Sequence, residues 1–217
     1  MAIDRGLLPG GVRAGDAGVH LAPNVSYEAM ADADVMLRCK NGDDAAFEYL
    51  VTKFRRPMLS FMYRMARNSS VAEELVQEVF LRVYRSRATY NAEAKFSTWL
   101  YRIATNLAVN HARDTKYEKP ELNVHLDEPD SETGQTPDLA DGGLTAEQML
   151  LRRERLAAIR QHVQNLPERQ RMAVLMHKYQ GMDYRQIAEV LKLSESATKS
   201  LLFRAYETLR EKLKEFL

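Results

Sequence analysis

A single cysteine, Cys39, stands among 217 residues, which excludes an internal disulfide and any multi-thiolate metal site. That usage suits a reducing compartment, and a cytoplasmic location is expected. Long apolar runs are missing too. The longest stretch without Asp, Glu, Lys or Arg covers residues 17–27 and contains His20, Pro23 and Asn24. A membrane span needs ~20 apolar residues, so none is expected. The first thirty residues hold no compact apolar block behind a basic start, and no secretory signal is expected. Catalytic constellations are also lacking. The five histidines (His20, His111, His125, His162 and His177) form no close pair and no metal-ligand spacing. No glycine-rich phosphate loop occurs. The expectation is a chain without cofactor, metal or enzymatic activity.

What is there is a chain with 45% hydrophobic and 28% charged residues, the balance of a globular protein. Its formal net charge of +1 hides a division. Residues 1–117 carry 16 basic and 13 acidic side chains, residues 118–146 one and eight, and residues 147–217 14 and nine. Two basic blocks thus flank an acidic bridge, a layout that suits a nucleic-acid binder.

Periodicity assigns the blocks. Residues 1–31 hold five glycines and few large apolar groups, and read as a mobile tail. From Asp32, a candidate N-cap, to residue 117, apolar positions recur at three and four, with no strand alternation. Phe47, Leu50, Val51, Phe54, Met58, Phe61, Met62 and Met65 form one stripe, with Pro57 expected to kink or divide it. Ser70 and Glu73 have capping-box spacing for the next helix, whose buried side is Leu75, Val76, Val79, Phe80, Val83 and Tyr84. Ser97 or Thr98 is the candidate cap of a further helix, with Trp99, Leu100, Ile103, Ala104, Leu107 and Ala108 inward. Residues 118–146, with three prolines, three glycines and eight acids, have no period and read as a flexible linker.

Helical pattern resumes over 147–217. Pro167 fits a first helical position. Asp183 and Gln186 are spaced as N-cap and N3 partner of a short helix, and Ser194 caps a longer one across a tight turn. This is a helix-turn-helix, with Ala188 at the close approach. The fold expectation is all-α: two small helical domains joined by the linker, the second containing the helix-turn-helix.

Helical projection sorts the exposed faces. On the last helix Leu202, Ala205, Tyr206, Leu209, Leu213 and Phe216 point inward. Ser196, Lys199, Ser200, Phe203, Arg204 and Glu207 point out. An outward Phe203 either meets a deoxyribose or thymine methyl in a major groove, beside Lys199 and Arg204, or covers an adjoining helix. On the helix from residue 97, Arg102, Asn106 and Arg113 lie opposite the core with Asn110 at the edge, a face for phosphates and unpaired bases or a solvated surface. Phe96 and Trp99 read as core, or as loop aromatics able to stack on a base. On the helix after Ser70, Glu73, Glu74, Gln77 and Glu78 make an acidic outer face, ordinary surface or a protein-binding one, and Leu81 falls outside the apolar stripe.

Three segments together resemble the bacterial RNA polymerase sigma factors. Residues 72–84 (AEELVQEVFLRVY) resemble their core-binding segment. Residues 95–106 (KFSTWLYRIATN) resemble their −10 segment, and 166–171 (LPERQR) with the helix-turn-helix resemble their −35-reading domain. Having only these two domains resembles the extracytoplasmic-function (ECF) group. The resemblance implies that Glu74, Leu75, Gln77, Glu78 and Phe80 bind the coiled coil of the polymerase largest subunit. It implies that Lys95, Phe96, Trp99, Arg102, Asn106, Asn110 and Arg113 engage the −10 strand, Asn106 at a flipped-out base, with the 91–97 loop helping to form its pocket. It implies −35 contacts from Ser196, Lys199, Ser200, Phe203 and Arg204. Core polymerase, promoter DNA and an anti-sigma factor are the implied partners; the competing class is a helix-turn-helix regulator with an N-terminal interaction domain. The pattern departs at Lys192, where the family often has Gly, and at Leu201, where Arg is frequent. The −35 sequence preference therefore does not carry over.

Overall fold

The computed structural model describes residues 26–118 and 145–216. The tail as far as residue 25 and the linker at 119–144 lie outside the described residues. Among the described residues the chain is helical throughout: α1 (Asp32–Lys40), α2 (Asp44–Ala66), α3 (Ser69–Arg85), α4 (Phe96–Glu118), α5 (Ala146–Gln164), α6 (Glu168–Tyr179), α7 (Tyr184–Leu191) and α8 (Glu195–Lys212).

The N-terminal bundle packs α2 against α1 and α3, with α4 closing it on α3 and α2. Its core holds Leu50, Met58, Phe61 and Met62 from α2, Val79 and Val83 from α3, and Leu100 and Ala104 from α4. In the C-terminal half α8 lies across α6 and α7 and buries Leu202, Ala205 and Leu209.

Several helix starts differ from expectation, each for a local reason. Ala31, not Asp32, is the cap residue of α1; Asp32 sits in the first turn and pairs with Lys53 of α2. A short turn, Tyr27–Ala29, precedes α1 within the expected tail and is held there: Tyr27 donates its hydroxyl to Asp43 at 3.0 Å and packs on Tyr49. Helix α2 runs unbroken through Pro57. The lost backbone hydrogen bond costs roughly 3 kcal/mol, and the buried Met58, Phe61 and Met62 that follow outweigh it. Asn68, not Ser70, caps α3, accepting from the Val71 N–H at 3.1 Å. Either side chain can accept there, but the left-handed Arg67 (φ 58°) ends α2 directly before Asn68 and so sets the start. Helix α4 begins at Phe96, ahead of Ser97 and Thr98, and Thr98 is buried. Pro167 is the cap residue of α6, one position before the helix proper. A capping box of Thr145, inside the expected linker, and Gln148, just past it, opens α5.

The two halves do not stand apart. Helix α4 packs on α7, α2 touches α6, and their buried residues form one contiguous apolar cluster. Gln164, at the end of α5, donates to the Arg64 carbonyl at 2.9 Å and accepts from Arg67 at 2.8 Å. That carbonyl is among the last four of α2, which have no intrahelical donor, so a side chain from the other half caps the helix. The Arg64 guanidinium lies over the Tyr179 ring, 4.1 Å from its centroid.

Candidate nucleic-acid interface

The C-terminal face is built by local capping. The Asp183 carboxylate accepts from the Gln186 N–H at 2.8 Å, and the Gln186 side chain accepts from the Asp183 N–H at 3.1 Å. Lys192 takes a left-handed conformation (φ 53°), and the Leu193 N–H returns to the Ala188 carbonyl at 2.9 Å. Ser194 then accepts from the Ala197 N–H at 3.1 Å and launches α8. Cap, turn and cap thereby fix the angle of α8 on α7 before any ligand arrives.

Along α8, Thr198, Leu202, Ala205 and Leu209 are buried, and Ser196, Lys199, Ser200, Phe203 and Arg204 are all exposed. Phe203 is 67% exposed, so it covers no adjoining helix in this structure. Lys199 pairs with Glu195 at 2.8 Å, and that hydrogen bond holds its ammonium protonated above the usual lysine range. The face forms a groove bounded by Tyr184 of α7 and by Lys199, Phe203, Arg204 and Tyr206 of α8. Tyr184 and Tyr206 escape a helical projection of α8 alone. Tyr206 reads there as core, and Tyr184 belongs to another helix.

The second face lies on α4. Arg102, Asn106, Asn110 and Arg113 are exposed along one stripe, with Lys95 exposed just before the helix. Phe96 is 1% exposed and packs edge-on against Phe54, their ring centres 5.2 Å apart. It is a core side chain and does not reach a ligand, because it opens the helix on the side that α2 covers. Trp99 is half-buried and packs edge-on with Tyr90, their centres 5.0 Å apart. The buried arc of α4 is wider than its apolar pattern, since Thr98, Tyr101 and Thr105 are buried as well. Burial pushes the Tyr101 phenol far above the usual tyrosine range.

The α3 face divides similarly. Glu74 and Gln77 are exposed, and Glu78 pairs with Arg82 at 2.7 Å. Leu75 and Phe80 are 8% and 7% exposed and belong to the bundle core, so they set the position of α3 and offer little to a partner. The apolar group this face does present is Leu81, 48% exposed.

Comparison with known proteins accounts for both halves. Residues 50–117 match the Sigma-70 region 2 family and residues 156–209 match Sigma-70, region 4. The chain is 31% identical over 186 residues to the RNA polymerase sigma-H factor of Pseudomonas aeruginosa, spanning 86% of this chain and 95% of that one. It is also 31% identical over 178 residues to the ECF RNA polymerase sigma factor SigW of Bacillus subtilis, across 81% and 93% of the two chains. The chain belongs to the ECF RNA polymerase sigma factors. Its fold resembles that of the sigma factor RpoE in a co-crystal with the anti-sigma factor NepR from Bartonella quintana, with a TM-score of 0.59. There the identity is 18%, and the likeness covers 77% of this chain and 96% of that one.

As an alternative sigma factor, this protein binds RNA polymerase and directs promoter-specific initiation. Helices α2 to α4 carry its region 2, and α5 to α8 carry its region 4. Among the described residues no helix is long and apolar enough to cross a membrane.

Proposed function

We propose that this sigma factor reads the −35 duplex with α8 and captures the unpaired −10 strand with the Arg102–Asn106–Arg113 stripe of α4, while Glu74, Gln77 and Glu78 of α3 dock on the largest polymerase subunit. Lys199 and Arg204 reach phosphates or base edges, and Phe203 lies against sugar or a thymine methyl. Opening the duplex costs a few kcal/mol per unstacked step, and strand capture by α4 offsets it only once the bases are out. The factor contributes binding and no chemistry, and it acts in the cytoplasm. The observation that carries this reading is Phe203, a large apolar ring 67% exposed among cations on a capped helix-turn-helix.

The expected 118–146 linker sets a length condition. Two promoter elements about two helical turns apart are ~70 Å from one another. A flexible chain of that size spans ~30 Å on average and ~95 Å at full stretch. In the compact arrangement α7 lies against α4, and packed helices are about 8–10 Å apart. Both elements are therefore engaged together only after the halves separate, and core polymerase is the agent that holds them open. An anti-sigma factor is the expected antagonist, and one that binds the closed arrangement would oppose that separation.

Transcription in vitro with core polymerase across a promoter library tests the proposal. Start sites dependent on both elements are expected, with Phe203→Ala losing −35 dependence about tenfold. Start-site choice unchanged by the protein would overturn it.

A further inference from the structure

A cluster beneath the groove belongs to neither face as described above. Helix α6 ends in a turn in which the Met182 N–H returns to the Met176 carbonyl at 3.2 Å across Gly181 (φ +61°), where a left-handed backbone is required. This turn folds the start of α7 back over the last turn of α6. The His177 ring consequently stacks on the Tyr184 ring, 5.4 Å between centres and 17° between planes. On its other side His177 Nδ1 shares a hydrogen bond with the Tyr206 hydroxyl of α8 at 2.7 Å. Burial and the adjacent Lys178 disfavour the imidazolium, and burial pushes the Tyr206 phenol up to about 12, so both groups are neutral partners near pH 7. Tyr184 and Tyr206 both line the groove on α8, whereas His177 does not. The Lys199 ammonium stands 5.9 Å from the centre of the Tyr184 ring.

We infer that His177 is a positioning residue for −35 recognition: its imidazole, pinned by Tyr206, holds the Tyr184 ring as one wall of the groove and thereby sets where Lys199 stands. The inference rests on the proposed use of α8 as the duplex reader. One half-buried side chain touches all three helices of the reading unit, and a chain of contacts runs from it to a cation on the DNA face. The stack on Tyr184 carries the effect, while the Tyr206 hydrogen bond orients the imidazole within it.

Two substitutions at one site separate these roles. His177→Phe keeps a ring against Tyr184 and loses the hydrogen bond, and His177→Ala loses both. Full-length protein assembled with core polymerase is titrated against promoter DNA with an intact or a scrambled −35 element. The His177→Ala holoenzyme is expected to bind the intact promoter three- to tenfold more weakly, with core binding unchanged, and His177→Phe to recover to within about twofold. Because both act through one contact, His177→Ala combined with Tyr184→Ala should be no weaker than Tyr184→Ala alone. Additive losses, or equal losses in the Ala and Phe variants tracking a lowered melting midpoint, would overturn the positioning role. A wild-type holoenzyme indifferent to scrambling would instead remove the duplex-reading function and this inference with it.

Discussion

The seam between the halves yields the most demanding prediction. Gln164→Ala removes two hydrogen bonds that cross it, to the Arg64 carbonyl at 2.9 Å and from Arg67 at 2.8 Å. A neutral hydrogen bond is worth about 1 kcal/mol net, and one to a charged group rather more in a buried setting. The Arg67 contact is exposed, so it adds only a few tenths of a kcal/mol. The closed arrangement should weaken by about 1–2 kcal/mol, a five- to thirtyfold drop in the closed-to-open ratio. Dyes on Glu73→Cys of α3 and Glu211→Cys of α8, both exposed positions, report the separation of the halves. The native Cys39 is only 1% exposed and does not compete for label. Single-molecule energy transfer on the full chain should show a larger long-distance population in the variant, and added core polymerase should convert both proteins to it. Arg64→Ala, which removes the cation over Tyr179, should act in the same direction by about 0.5–1 kcal/mol. Identical distance distributions in wild type and both variants would refute the reasoning, since the polar seam would then contribute nothing to closure.

Other expectations concern the faces and the fold. Leu75→Ala should cost about 2–5 kcal/mol of stability by denaturant titration, because Leu75 is core. Gln77→Ala should leave stability within ~0.5 kcal/mol while weakening capture of core polymerase. For Asp43, burial pushes the carboxyl up, but hydrogen bonds from Arg38, the Ala46 N–H and Tyr27 together outweigh it and hold it below the usual range. Its stabilising contribution is thus complete above the unfolded value of ~3.9 and is lost as pH falls through the folded one. Asp43→Asn should flatten acid unfolding in that window. Lys192→Gly relieves a left-handed lysine (φ 53°) and should stabilise by about 1 kcal/mol, raising the melting midpoint by ~2–4 °C.

The helices and their inner faces were legible because a 3.6-residue period is local information. The Asp183–Gln186 box and the Ser194 cap placed the helix-turn-helix to the residue, since a cap needs only a side chain three positions from its donor. The outward stripes of α8 and α4 followed from the same projection. Phe96, Leu75 and Phe80 drew two readings: the period turned them inward, and the resemblance assigned them to partners. A motif marks a segment as functional without saying which of its side chains hold the segment in place, and these three are buried. Leu81 carried the opposite signal, an apolar residue off the stripe, and the structure leaves it 48% exposed.

The sequence by itself determined an all-helical chain, the turn that aims α8, and the side chains that α8 and α4 turn outward, because each depends on residues within a few positions of one another. Tertiary structure alone decided that the halves close on each other. Arg64 and Gln164 are 100 residues apart, and nothing periodic ties one to the other. It also decided that Tyr206 of α8 reaches His177, which the local turn at Gly181 already stacks on Tyr184, under the reading face. Such meetings depend on how helices cross, and a crossing angle is set by the packing of whole surfaces.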